Sequence, residues 1–99
     1  MITTKPRAQL RSLANDMPAL YQIGKNGITE EFLAQMEEAL EKNELIKISV
    51  LKNSFYTTKE AMVELCESLS CEAVSAVGSK VVIYRRSSNP KNVKIELSP

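Results

Sequence analysis

The chain has 99 residues, 43% of them hydrophobic and 25% charged, which suits one folded domain and is too short for two independent cores. That apolar share excludes an intrinsically disordered segment, and no apolar run is long enough to cross a bilayer. The formal charge is +1 and histidine is absent, so overall charge does not point to nucleic acid, and the side chain most used for proton transfer near neutral pH is missing.

In chain order, residues 4–14 are predicted to form a first helix. Leu10, Leu13 and Met17 recur at helical spacing, Pro6 fits the first turn, and Asn15, Asp16 and Pro18 stop it. Ala19 to Ile23 reads as a short strand, and Gly24-Lys25-Asn26-Gly27 as a sharp turn. Thr29 is a plausible N-cap for a second helix over about 30–43, where Glu30 and Glu31 suit the helix dipole and Phe32, Leu33, Met36, Ala39 and Leu40 form the buried stripe. Residues 45–51 form the clearest strand, with Ile46, Ile48 and Val50 on one face and a mixed second face. Thr57 and Glu60 have the spacing of a capping box, opening a third helix that runs to about Ser70 and buries Ala61, Met62, Leu65, Cys66 and Leu69. Strands are expected over 72–77 and 80–86 around the turn Gly78-Ser79, and residues 93–97 alternate as an edge strand would. The order α-β-α-β-α-β-β predicts an α/β (α+β) fold, a mixed four-stranded sheet with helices packed on it, in a single domain over residues 1–99.

Charge is unevenly placed. Residues 1–27 carry Lys5, Arg7, Arg11 and Lys25 against Asp16. Residues 28–45 carry Lys42 against six glutamates. Residues 79–99 carry Lys80, Arg85, Arg86, Lys91 and Lys94 against Glu96. If the two ends of the chain meet, the molecule has a basic face and an acidic face.

The turn Gly24-Lys25-Asn26-Gly27 is the segment most suited to chemistry. Two glycines let a ligand approach the backbone closely, the following helix points its free N–H groups at the turn, and Lys25 adds a charge. A G-x-x-G loop clamps RNA backbone in the KH module. The longer nucleotide-binding patterns are absent: Ile28 follows the second glycine where a P-loop needs Lys, and Glu30 stands where a dinucleotide fingerprint needs a third glycine.

Around this turn the residues resemble a known family. The blocks Ala19 to Glu30, Ala39-Leu40 with Asn43 to Ile48, Val74 to Gly78, and Val82 to Arg85 are similar to the YhbY-like family, the CRM domain of chloroplast RNA splicing and ribosome maturation. The resemblance spans about residues 3–97. It implies a fold like the C-terminal domain of bacterial translation initiation factor three, and a role like that of stand-alone bacterial members that associate with large-subunit precursors. It also implies RNA contact through Gly24, Lys25, Asn26 and Gly27, extended by Lys5, Arg7, Arg11 and Arg85. The sequence departs from the family pattern at Asn15, Pro18 and Ser79, which shifts basic character toward Lys80.

The expectation is therefore an RNA-binding ribosome-assembly factor. It is cytoplasmic and monomeric, with reduced cysteines, and has no cofactor, metal, membrane segment or small-molecule substrate. Arg7, Arg11, Lys80, Arg85 and Arg86 supply its electrostatic field. No nucleophile with a base, metal cluster or acid pair suggests catalysis. Aromatic content is 5%, and Tyr21, Tyr84 and Phe32 read as core residues, favouring structured RNA over splayed single strands. The alternative from another class is a protein-docking module using the acidic second helix, through Glu37, Glu38, Glu41 and Glu44.

Overall fold

A computed structural model describes residues 4–89, 91 and 93, with side chains from Pro6 onward. The expected edge strand at 93–97 lies outside the described residues except for Val93, as does the side chain of Lys5. The elements are α1 (Thr4–Ala14), β1 (Tyr21–Ile23), α2 (Glu30–Asn43), β2 (Leu45–Val50), α3 (Thr58–Leu69), β3 (Glu72–Val77) and β4 (Lys80–Tyr84). They form one four-stranded sheet in the order β1-β2-β4-β3. β1 is parallel to β2, and the other two pairings are antiparallel.

Alternation along the strands divides the interior in two. Ile46, Ile48 and Val50 of β2, with Ile23, Val81 and Ile83, face Met36 and Leu40 of α2 and Leu65 and Leu69 of α3. Cys66 and Cys71 pack against this larger core as free, half-buried thiols. The opposite face carries Leu45, Val74, Val82 and Tyr84, which α1 covers with Leu10 and Ala14. Leu13 does not join them. It is 47% exposed, because Leu10 and Ala14, four residues apart, already set the buried stripe of α1.

Local chemistry accounts for the boundaries. The Thr29 hydroxyl accepts from the Phe32 N–H at 3.0 Å and opens α2. The Thr57–Glu60 capping box closes in both directions, at 3.0 and 3.1 Å, and opens α3. Three ends differ from expectation, the smallest difference being in β2, which stops at Val50 rather than Leu51. β1 begins at Tyr21 rather than Ala19, since its register with β2 starts at the Tyr21–Ile48 pair. β4 ends at Tyr84 rather than Arg86, because the chain there turns to α2: the Arg85 N–H donates to the Glu44 carbonyl at 2.9 Å, and the Ser87 N–H to the Glu44 carboxylate at 2.8 Å.

Candidate nucleic-acid interface

Three connections gather at one end of the sheet. The β1–α2 turn follows Ile23, the β2–α3 loop follows Val50, and the β3–β4 turn holds Gly78 and Ser79. The Leu51 N–H donates to the Ile23 carbonyl at 2.9 Å and the Val50 N–H to the Ser79 carbonyl at 2.7 Å. The Thr58 hydroxyl reaches the Gly78 carbonyl at 2.6 Å. Loops at the carboxyl ends of parallel strands are a recurrent place for ligands in α/β sheets.

The turn Gly24–Gly27 closes with a hydrogen bond from the Gly27 N–H to the Gly24 carbonyl at 3.0 Å. Gly27 has φ +70°, a conformation that side chains disfavour. A Cβ there would also stand 3.2 Å from Tyr56 Cε2, so the backbone favours glycine and the ring crowds any side chain. Lys25 and Asn26 are exposed at its tip. The turn borders a shallow hollow of about 360 Å³ shared with Gln22, Glu31 and Gln35. The first turn of α2 is less open to an anion than its dipole suggests, since Thr29 caps it and Glu30 and Glu31 are exposed beside it. An anion at this end is favoured over Lys25 and the sheet, not over α2.

A second hollow lies on the face that α1 covers only in part. Gln22, Ser49, Lys80 and Val77 are paired across all four strands, and cross-strand partners project to the same side of a sheet. Lys80 lies two residues from Val82, so this row shares the α1 side of the sheet. Next to it, Arg11, Asn15, Lys47, Ser75 and Lys80 line a hollow of about 220 Å³ that no acidic residue lines. The Lys47 ammonium donates to the Ala14 and Met17 carbonyls, both at 3.2 Å, capping the carboxyl end of α1 where a cation is favoured. The Lys80 ammonium donates to the Ser49 hydroxyl at 2.6 Å. Arg11 from the start of the chain and Lys80 from its last third thus line one hollow, on the same face of the sheet. With Gln22 in the row, the spacing of adjacent strands puts the Lys25 turn and the Lys80 hollow within roughly 15 Å of each other.

The other candidates divide. Arg86 is exposed just beyond β4. Arg7 is half-buried and donates from Nε to the Ala73 carbonyl at 3.0 Å. Arg85 is turned to the acidic helix. It lies 2.9 Å from Glu37 and 3.1 Å from Glu41, its side chain only 20% exposed, and it donates to the Leu69 carbonyl at 2.9 Å. The Ser88 hydroxyl and N–H also donate to Glu41. That hydroxyl, chiefly, holds the Glu41 carboxyl below its ordinary range, with Arg85 adding to the effect. The acidic docking face is correspondingly reduced: Glu44 is buried, and Glu37 and Glu41 are engaged within the chain. Replacing Arg85 with Gln is expected to leave RNA affinity unchanged while lowering stability by about 1–2 kcal/mol, as paired filter-binding and urea-unfolding measurements would show.

Sequence reasoning missed Lys47 and the β2–α3 loop. Lys47 had a signal, being the one charge inside an apolar strand. The loop had none, because only the fold brings residues 51–57 beside the glycine turn.

Comparison with known proteins fits this geometry. The CRS1 / YhbY (CRM) domain family matches residues 2–85. The "Probable RNA-binding protein YqeI" of Bacillus subtilis (strain 168) is 33% identical over 95 residues, which is 96% of this chain and 99% of that protein. A Haemophilus influenzae protein named "RNA-binding protein" is 31% identical over 90 residues, covering 91% of each chain. A solution structure from Staphylococcus aureus, described as a candidate RNA-binding protein, is 41% identical. It superposes with a TM-score of 0.70 over 97% of this chain and 100% of that one.

Proposed function

From the premise that the chain belongs to the CRS1 / YhbY (CRM) domain family, we propose that it binds structured RNA, that this RNA is pre-ribosomal large-subunit RNA, and that the protein acts in ribosome assembly. The observation that carries the reading is the convergence of the Lys25–Asn26 turn and the Arg11–Lys47–Lys80 hollow at one end of the sheet. Lys25, Asn26 and the backbone of Gly24 and Gly27 hold phosphate and sugar. Arg11 and Lys80 supply a second phosphate contact, Arg86 adds to the field, and Lys47 positions α1 while adding its charge. Phosphate contacts fix register and carry no sequence information, so selectivity rests on RNA shape. The proposed role is binding without a catalytic step.

Affinity that rests on phosphate contacts weakens with salt because bound counterions are released. With roughly four contacts, a fourfold rise in salt is expected to lower affinity about 50- to 150-fold, measured by filter binding to a ribosomal RNA stem-loop. A protein that binds no RNA at low salt yet still sediments with ribosomes would sink this reading in favour of protein docking. The ribosomal part is tested by crosslinking in cells, where crosslinks should fall on large-subunit precursor RNA. Crosslinks confined to other transcripts would overturn it.

A further inference from the structure

The β2–α3 loop, residues 51–57, forms a wall beside the glycine turn. Leu51 Cδ1 lies 3.7 Å from the place a Cβ on Gly24 would occupy, and Tyr56 packs against Gly27. The loop is held by its own hydrogen bonds. The Ser54 N–H donates to the Leu51 carbonyl at 3.0 Å, and the Tyr56 N–H to the Ser54 hydroxyl at 3.1 Å. Phe55 stands between that hydroxyl turn and the packed Tyr56, and it is 91% exposed.

A single exposed apolar side chain is ordinary on a protein surface. Three observations make this one different. Phe55 is the chain neighbour of Tyr56, which crowds Gly27, so its loop borders the turn proposed to hold backbone. Its loop contains no acid and exposes Lys52 and Asn53. The backbone on either side of Phe55 is tied by those two hydrogen bonds without a ligand, which lowers the ordering cost of presenting the ring there. Tyr21, Phe32 and Tyr56 pack against the larger core and Tyr84 lies within the second, which leaves Phe55 as the aromatic free to meet a ligand among the described residues.

We propose that Phe55 stacks on an unpaired base of the RNA whose backbone the glycine turn holds. The ligand is then a folded RNA that displays an unstacked nucleotide beside a helical stem, not an uninterrupted duplex. Stacking tolerates any base, because every base has a π-face, but it requires that face to be uncovered. Phe55 would thereby separate unpaired from paired RNA, a distinction that phosphate contacts alone cannot make. The inference rests on the RNA-binding reading above and gives it a structural preference.

The test uses three hairpins with one common stem: one closed by a tight UUCG loop, one by ten adenosines, and one by ten abasic ribose units. Affinities are measured by fluorescence anisotropy for the wild type, Phe55→Ala, Phe55→Leu and Phe55→Trp. Phe55→Ala and Phe55→Leu are expected to weaken binding to the adenosine loop at least about fivefold, within the range of one stacked base, and to leave the other two hairpins unchanged. Phe55→Trp is expected to keep its affinity. Since the chain has no other tryptophan, its emission should be quenched by the adenosine hairpin alone. Equal loss on all three hairpins, full affinity in Phe55→Leu, or no loss in Phe55→Ala would each overturn the assignment; the last would leave Phe55 to a protein partner. Binding by the wild type with loss in a Lys25→Asp/Asn26→Asp variant would show the underlying RNA-binding reading intact even then. A wild type that binds none of the hairpins would count against both.

Discussion

Changing Lys25 and Asn26 together to Asp is expected to lower RNA affinity at least tenfold, about 1.4 kcal/mol, with the fold unchanged. Both side chains are exposed at the tip of the turn, and its closing hydrogen bond, from Gly27 to Gly24, uses only backbone. The substitution therefore alters charge and donors without disturbing φ at Gly27. A cation and an amide beside the RNA backbone become two carboxylates, which repel phosphate and have no proton to donate. The slope of affinity against salt should also become shallower by about one phosphate contact. A charge change of the same sign far from the sheet end provides the comparison. Lys42→Asp, on exposed α2 among Glu37, Glu38 and Glu41, is expected to leave affinity near that of the wild type. If the loop variant melts like the wild type and still binds RNA as tightly, the turn is not the contact. If Lys42→Asp weakens binding equally, the effect is one of total charge and the site is unlocated.

The turn and the hollow were not equally legible in the sequence. Elements with strong local signals appear where their residues predict them. α1 and α2 keep the expected bounds, and the Thr57–Glu60 spacing is realised as a capping box. Local chemistry decides these features, and local chemistry is what a sequence displays. The G-x-x-G turn is legible for the same reason, since its glycines, its lysine and its place before a capped helix lie within a few residues. The hollow depends on contacts far apart in the chain. Arg11 and Lys80 are 69 positions apart in number, and only the order β1-β2-β4-β3 sets β4 beside β2 so that Lys80 meets Ser49. Arg85 shows the reverse limit. In the sequence it is one of two adjacent arginines after a strand, equally open to solvent or to RNA. The turn of the chain at Glu44 carries it onto Glu37 and Glu41, and no local pattern announces that turn. Phe55 was equally hidden, because an aromatic between Ser54 and Tyr56 gives no sign of exposure until the β2–α3 loop is placed.

Glu44→Ala is expected to cost about 2–3 kcal/mol of stability, the scale of a buried hydrogen bond to a charged group lost with its partner left unmet. Glu44 is buried at the C-cap of α2 with φ +65° and ψ −40°, a backbone conformation unfavourable for any residue with a Cβ. Its retention there follows from what it ties together. Its N–H donates to the Leu40 carbonyl at 2.8 Å and ends the helix, while its carbonyl accepts from the Arg85 N–H at 2.9 Å. Its carboxylate accepts from the buried Ser87 N–H at 2.8 Å, and the Ser87 hydroxyl donates to the Glu41 carbonyl at 2.7 Å. One residue thus joins the end of α2 to the chain leaving β4. The buried charge is also felt across the sheet, where burial first and Glu44 second push the Tyr84 phenol above its usual range. Alanine removes the acceptor and keeps the backbone strain. Glycine removes the acceptor and relieves the strain, so Glu44→Gly should be about 1 kcal/mol more stable than Glu44→Ala. In a domain of this size the alanine variant should melt roughly 8–24 °C below the wild type, read by circular dichroism alongside urea unfolding. An alanine variant as stable as the wild type would mean that the carboxylate contributes nothing net to this junction. A glycine variant no better than alanine would mean that the positive φ is not strained. RNA affinity below the melting transition should stay at the wild-type level in both, because the junction lies at the carboxyl end of α2, and the glycine turn precedes its amino end.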